Sequence, residues 1–161
     1  MKNKLGVSYT KLIQIETEIV NLKLNLLDEY FTFNENIFSL KYLRKLHKFL
    51  FSDLYENIDV ETRELNDIEK DYIRDILISL ENICIKEPIE IDKILQMILK
   101  LWDFQIFKDG NTRTMLAYLK VINRAFLLNL DIDLNSVISN QDRDNFKKEK
   151  YVNQKRLTKS K

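Results

Sequence analysis

Apolar residues recur along this chain at three- and four-residue spacings, the period of a helix with one buried face. From Ser8, a good N-cap, to about Tyr30, the positions Leu12, Ile15, Ile19, Leu22 and Leu26 mark one apolar stripe. The Asn-rich stretch Thr32 to Asn36 reads as a loop. Ser39 then caps a helix to about Tyr55, with Leu43, Leu46, Leu50 and Leu54 inward. Asn57 to Asn66 is polar, and Asp67 is placed to cap a third helix through Ile85, with Ile68, Tyr72, Ile76 and Leu80 inward. Pro88 ends that pattern and opens the next, Ile89 to Trp102, because proline lacks the amide hydrogen a helix interior needs. A last periodic segment runs from Met115 to Leu130, and Asp131 to Ser136 turns the chain.

Composition agrees with this pattern. Two glycines and one proline in 161 residues are too few for a fold built on tight β-turns. The expectation is a single all-α domain over residues 1–146, and periodicity alone says no more than a helical bundle. Residues 147–161 differ: seven Lys or Arg stand against Glu149 alone, with little apolar spacing, which reads as a disordered basic tail. Overall the net charge is only +1, so bulk electrostatics select no partner. The single Cys84, between Ile83 and Ile85, can form no internal disulfide and reads as a buried structural thiol. With one histidine and one cysteine the chain has too few ligands for a zinc site. No segment approaches the roughly 20 apolar residues of a membrane span, so no membrane partner is expected. Lys11, Gln14, Glu16 and Glu18 interrupt any signal-peptide pattern, and the expected setting is cytoplasmic.

The chemistry concentrates in Gln105-Ile106-Phe107-Lys108-Asp109-Gly110-Asn111-Thr112-Arg113-Thr114. A glycine just before a helix lets the chain turn so that the first free amides of the helix face whatever fills the turn. With the helix dipole behind them, those amides favour an anion. Arg113 in the first turn can add a bidentate phosphate contact, and Asp109 is a hard oxygen ligand suited to magnesium on the same phosphates.

The segment Phe107 to Thr114 resembles the signature of Fic (Fido-fold) proteins, a His-x-Phe-x-Asp/Glu-Gly-Asn core followed by a variable residue and arginine. Leu43-Arg44-Lys45-Leu46-His47-Lys48-Phe49-Leu50-Phe51-Ser52-Asp53-Leu54-Tyr55 is similar to that family's upstream helix, Leu-x-x-x-His-x-x-Leu-Phe-x-Asp-x-Tyr. The two stand in the family's order and span about Leu40 to Phe126. The resemblance implies an all-α, Fic-like domain and transfer of AMP from ATP, with Mg²⁺, to a hydroxyl of a protein target. It assigns the general base to the motif histidine, and here that position is Gln105, whose amide has no useful basicity. Phe107 matches the residue that anchors the loop in the core. Asp109 matches the metal ligand, with an N-capping role as the plain alternative. Gly110, Asn111 and Thr112 match the anion-cradling turn, and Arg113 the first motif arginine, which could instead pair with a nearby acid.

Two further departures from the family follow. Leu116 stands where many members carry a second arginine. The region Tyr55 to Glu64 lacks the alternation of the target-docking β-hairpin flap, so that flap is expected to be reduced or absent. Ile15-Glu16-Thr17 only faintly echoes the inhibitory motif Ser/Thr-x-x-x-Glu-Gly/Asn, since Leu12 occupies the Ser/Thr place, and Glu16 is read as part of a solvated helix face. His47 aligns with the upstream histidine and reads as a satisfied core residue. Three functions remain open. One is a degenerate Fic domain that keeps part of a nucleotide site, has little or no AMP-transfer activity and acts by binding a protein partner. Another is a working adenylyl or phosphoryl transferase with a non-histidine mechanism. The last is a helical interaction module, although the basic tail is not expected to make nucleic acid its main partner. The missing base favours the first over the second.

Overall fold

The structure, a computed structural model, describes residues 3–27, 35–55 and 63–128. Among these lie five helices: α1 (Tyr9–Asn25), α2 (Leu40–Phe51), α3 (Asp67–Ile85), α4 (Ile91–Phe104) and α5 (Asn111–Ala125). No strand occurs among the described residues, so the all-α expectation holds. The flap region 56–62, the turn 131–136, the basic tail 147–161, and the expected helix ends at Tyr30 and Leu130 lie outside them.

Local chemistry accounts for where the helices begin. Ser8 and Ser39 accept hydrogen bonds from the amides of Lys11 and Tyr42, taking up donors that have no partner inside the helix. At α3 the cap is Asn66, not Asp67: its side chain accepts from the Glu69 amide while Glu69 reaches back to the Asn66 amide, a capping box. The α4 helix starts at Ile91, two residues later than the proline suggested, and α5 starts at Asn111, four residues before the apolar period begins.

Packing runs α1 on α2, α2 on α5, α5 on α4 and α4 on α3. Trp102, Tyr42, Tyr118, Phe51 and Phe107 are the largest fully buried side chains, and the Tyr118 hydroxyl donates to the Ile37 carbonyl at 2.8 Å. The N-terminal segment is tied to the turn after α2 by Lys4 N–H donating to the Leu54 carbonyl and by an isolated Asn3–Tyr55 bridge. Cys84 is buried as expected, and burial pushes its thiol up to about 11.

Two inner faces differ from the reading by period. On α1 the buried stripe is Leu12, Glu16, Val20 and Leu24, while Leu22 is exposed and Ile15 and Ile19 lie at the margin. The true stripe runs through a carboxylate, so counting apolar residues shifted the register. On α3 the inner residues include Ile73, Ile76, Leu77 and Leu80, and Ile68 and Tyr72 are exposed.

Candidate functional site

The loop between α4 and α5 is folded by its own side chains. Gln105 closes α4 in the left-handed region, at φ 51°, where its backbone N–H still reaches the Trp102 carbonyl. Asn111 then clamps the turn. It accepts from the Phe107 amide at 3.0 Å and donates to the Phe107 carbonyl at 2.8 Å and to the Gln105 Oε1 at 3.2 Å. The Gln105 amide group in turn donates to the Trp102 carbonyl at 2.7 Å. Both ends of the Gln105 side chain therefore brace the loop, and neither is a base.

Beneath the loop the two segments that carry the family resemblance meet. His47, buried on α2, stacks on Phe107 with ring centroids 4.1 Å apart, and its Nε2 lies 2.9 Å from the Asp109 carbonyl. A carbonyl only accepts, so the proton sits on Nε2 and His47 is a satisfied core histidine. Gly110 has φ 80°, and a Cβ there would lie 2.5 Å from the Phe51 ring. Glycine is thus required twice, by the backbone and by Phe51.

Above the loop is a cavity of about 440 Å³. Trp102, Gln105, Lys108–Arg113 and Leu116 line it from the loop side, and Thr17, Val20, Asn21 and Leu24 form the wall contributed by α1. The volume is within the usual small-molecule range. The amino end of α5 opens here, and Gly110 as N-cap provides no side chain to take up its first amides. Asp109 is exposed, and its Oδ1 accepts from the Gly110 amide at 2.8 Å, ahead of the helix. Thr112 accepts at its hydroxyl from the Trp102 indole at 2.9 Å, which anchors it to α4. Gln105, Asp109, Gly110, Asn111, Thr112 and Arg113 are therefore brought together around one cavity, with Leu116 in its wall. His47 and Phe107 lie under the loop.

Glu16 corrects the sequence reading. It is 7% exposed, not solvated, and forms an ion pair with Arg113 while accepting from the Tyr55 hydroxyl. Burial and the Glu16 contact together raise the Tyr55 hydroxyl above its ordinary range, so it remains a donor. Arg113 also lies over the Phe51 ring, 5.7 Å from its centroid. The arginine is thus occupied by an acid, as the plain reading of it allowed, and that acid is Glu16 rather than Asp109.

Sequence reasoning also missed Arg63. Its guanidinium donates to the Gln105 carbonyl at 3.0 Å, the Phe104 carbonyl at 3.1 Å and Glu69 at 3.0 Å, and its amide donates to the Ile106 carbonyl. It fills carbonyls left open where α4 ends. The Asn-x-x-Glu spacing at Asn66 was a signal for the capping box. Nothing in the sequence pairs Arg63 with a loop some forty residues on.

Among the described residues no group of three or more His, Cys, Asp and Glu gathers to hold a metal ion. Magnesium at Asp109 would draw its other ligands from phosphates and water, which suits its preference for keeping waters. Among the described residues no helix is long and apolar enough to cross a membrane. Comparison with protein-family models finds no match, and comparison with curated proteins finds none either.

Proposed function

We propose that this chain is a degenerate Fic-like domain that binds the phosphates of a nucleotide weakly, with Mg²⁺, transfers little or no AMP and acts through a protein partner. The observation that carries the reading is the amino end of α5 opening, with Arg113, onto the 440 Å³ cavity. Free helix-terminal amides, the dipole and a guanidinium converge there on one point. The contact of His47 and Phe51 with Phe107, Asp109 and Gly110 supports the resemblance, because the two motif segments interlock as one unit. Gln105 supports the loss of transfer, since its amide is committed to the loop and offers a target hydroxyl no proton acceptor. Two features keep affinity low. Leu116 contributes no second guanidinium, and an incoming phosphate competes with Glu16 for Arg113.

Calorimetric titration with ATP and Mg²⁺ tests this. Binding in the high-micromolar to millimolar range is expected, lost in Arg113→Ala and weakened without magnesium. No heat and no ligand-detected NMR signal at millimolar ATP would leave only a helical interaction module.

A further inference from the structure

The exposed face of α2 is entirely cationic. Its four exposed residues are Lys41, Arg44, Lys45 and Lys48, and the helix contains no acid. The spacing i, i+3, i+4 and i+7 places them in one stripe about 10 Å long. By contrast α3 mixes five acids with Lys70 and Arg74, while α5, also without an acid, exposes only two cations, Lys120 and Arg124. The near-neutral net charge thus hides an asymmetric distribution.

We propose that the α2 stripe binds the phosphate backbone of double-stranded nucleic acid without reading sequence. Three observations select this partner. Tyr42, Leu43, Leu46, Leu50 and Phe51 are buried and Leu40 and Phe49 pack partly buried against the core, so the face has no exposed apolar residue to insert into a lipid surface or to form the dry centre of a protein interface. Four cations within about 10 Å of helix supply the dense positive charge that a phosphate backbone, with one negative charge per about 1.7 Å of duplex, attracts. The Lys45–Glu35 ion pair is exposed on both partners, and such pairs contribute little and exchange readily for a phosphate. This proposal is independent of the nucleotide loop.

The test is fluorescence anisotropy of the full chain with a labelled DNA duplex of arbitrary sequence. Affinity is expected to fall roughly 100-fold between about 50 and 200 mM salt if all four cations contact phosphate. The variant Lys41→Ala/Arg44→Ala/Lys48→Ala should lose at least about tenfold in affinity and flatten the salt dependence, with its melting temperature unchanged because the three side chains are exposed. The control Lys70→Ala/Arg74→Ala, on α3, should bind as the wild type does. Absence of binding at low salt, or a triple variant that binds as tightly as the wild type, overturns the proposal, the second because cations elsewhere then hold the duplex. Binding to anionic vesicles or an acidic peptide but not to duplex overturns it as well.

Discussion

Two carboxylate–guanidinium pairs hold the α4–α5 loop at its two ends, and they are not equivalent. Glu69 and Glu16 are both 7% exposed, so each carboxylate has left water and depends on its partners. Arg63 meets Glu69 through an aligned hydrogen bond and spends further donors on the Phe104 and Gln105 carbonyls. Arg113 meets Glu16 as an ion pair without hydrogen-bond alignment at Nη1, and it lines the cavity. The first pair closes backbone groups that have no other use. The second occupies a guanidinium that a phosphate could use better, because a phosphate can accept from it bidentately. Burial of the acid is the same in both; the surroundings of the arginine separate a brace from a binding group.

The sharpest break of the comparison lies between the two ends, at Gly110. Gly110→Ala forces an L side chain into the left-handed region and against Phe51. A loss of about 3 kcal/mol or more is expected in urea unfolding. A melting temperature within a degree of wild type would mean that Phe51 swings aside freely, and the loop would then be no rigid frame for either pair.

Glu69→Ala comes next. It removes the capping box and the Arg63–Glu69 ion pair, a loss of about 2 kcal/mol. ATP affinity should change only as far as the loop loosens. If instead Glu69→Ala left stability intact and altered ATP binding more than Arg113→Ala did, the roles assigned to the two pairs would be reversed.

Which parts of this frame were legible in the sequence follows from the physics of each contact. Gly110 and Asn111 could be found because a left-handed turn and a side-chain clamp restrict residue type at a fixed spacing. The helices could be found wherever burial is apolar. The α1 register could not, because its inner stripe passes through Glu16, and a buried acid looks like a surface acid until its partners are known. Those partners, Tyr55 and Arg113, lie 39 and 97 positions away in the chain and are brought to α1 only by the packing of α2 and α5. Arg63 was hidden for the same reason.

Glu16→Gln tests the cavity-side pair alone. Glutamine keeps an acceptor for Tyr55 but gives up the charge that holds Arg113. Stability should stay within about 1 kcal/mol of wild type, because the Arg113 side chain is 38% exposed and water takes up the charge left behind. ATP–Mg²⁺ affinity should rise about three- to tenfold, a modest gain because the Arg113 side chain is 38% exposed and partly screened already. Unchanged affinity would mean that phosphate does not reach Arg113, and the anion site would reduce to helix amides.

The smallest expected signal comes from Gln105→His. The Trp102 carbonyl that now accepts from the Gln105 amide can accept from an imidazole N–H, which would fix the tautomer and leave the second nitrogen as a base. Histidine also tolerates the left-handed backbone at this position better than most residues do. A placed base contributes about a hundred- to ten-thousandfold in rate, but it acts here on a nearly inactive starting point. The variant gives up the bond from Asn111 to the Gln105 oxygen, and Glu16 still holds Arg113. Self-labelling with radiolabelled ATP should therefore rise above the wild-type background yet stay faint, and adding Glu16→Gln should strengthen it. Strong labelling by the wild type that survives Gln105→Ala would overturn the reading of Gln105 as a brace in place of a base. The proton acceptor would then have to be another group, and Glu16, already accepting from the Tyr55 hydroxyl beside Arg113, is the carboxylate to remove first.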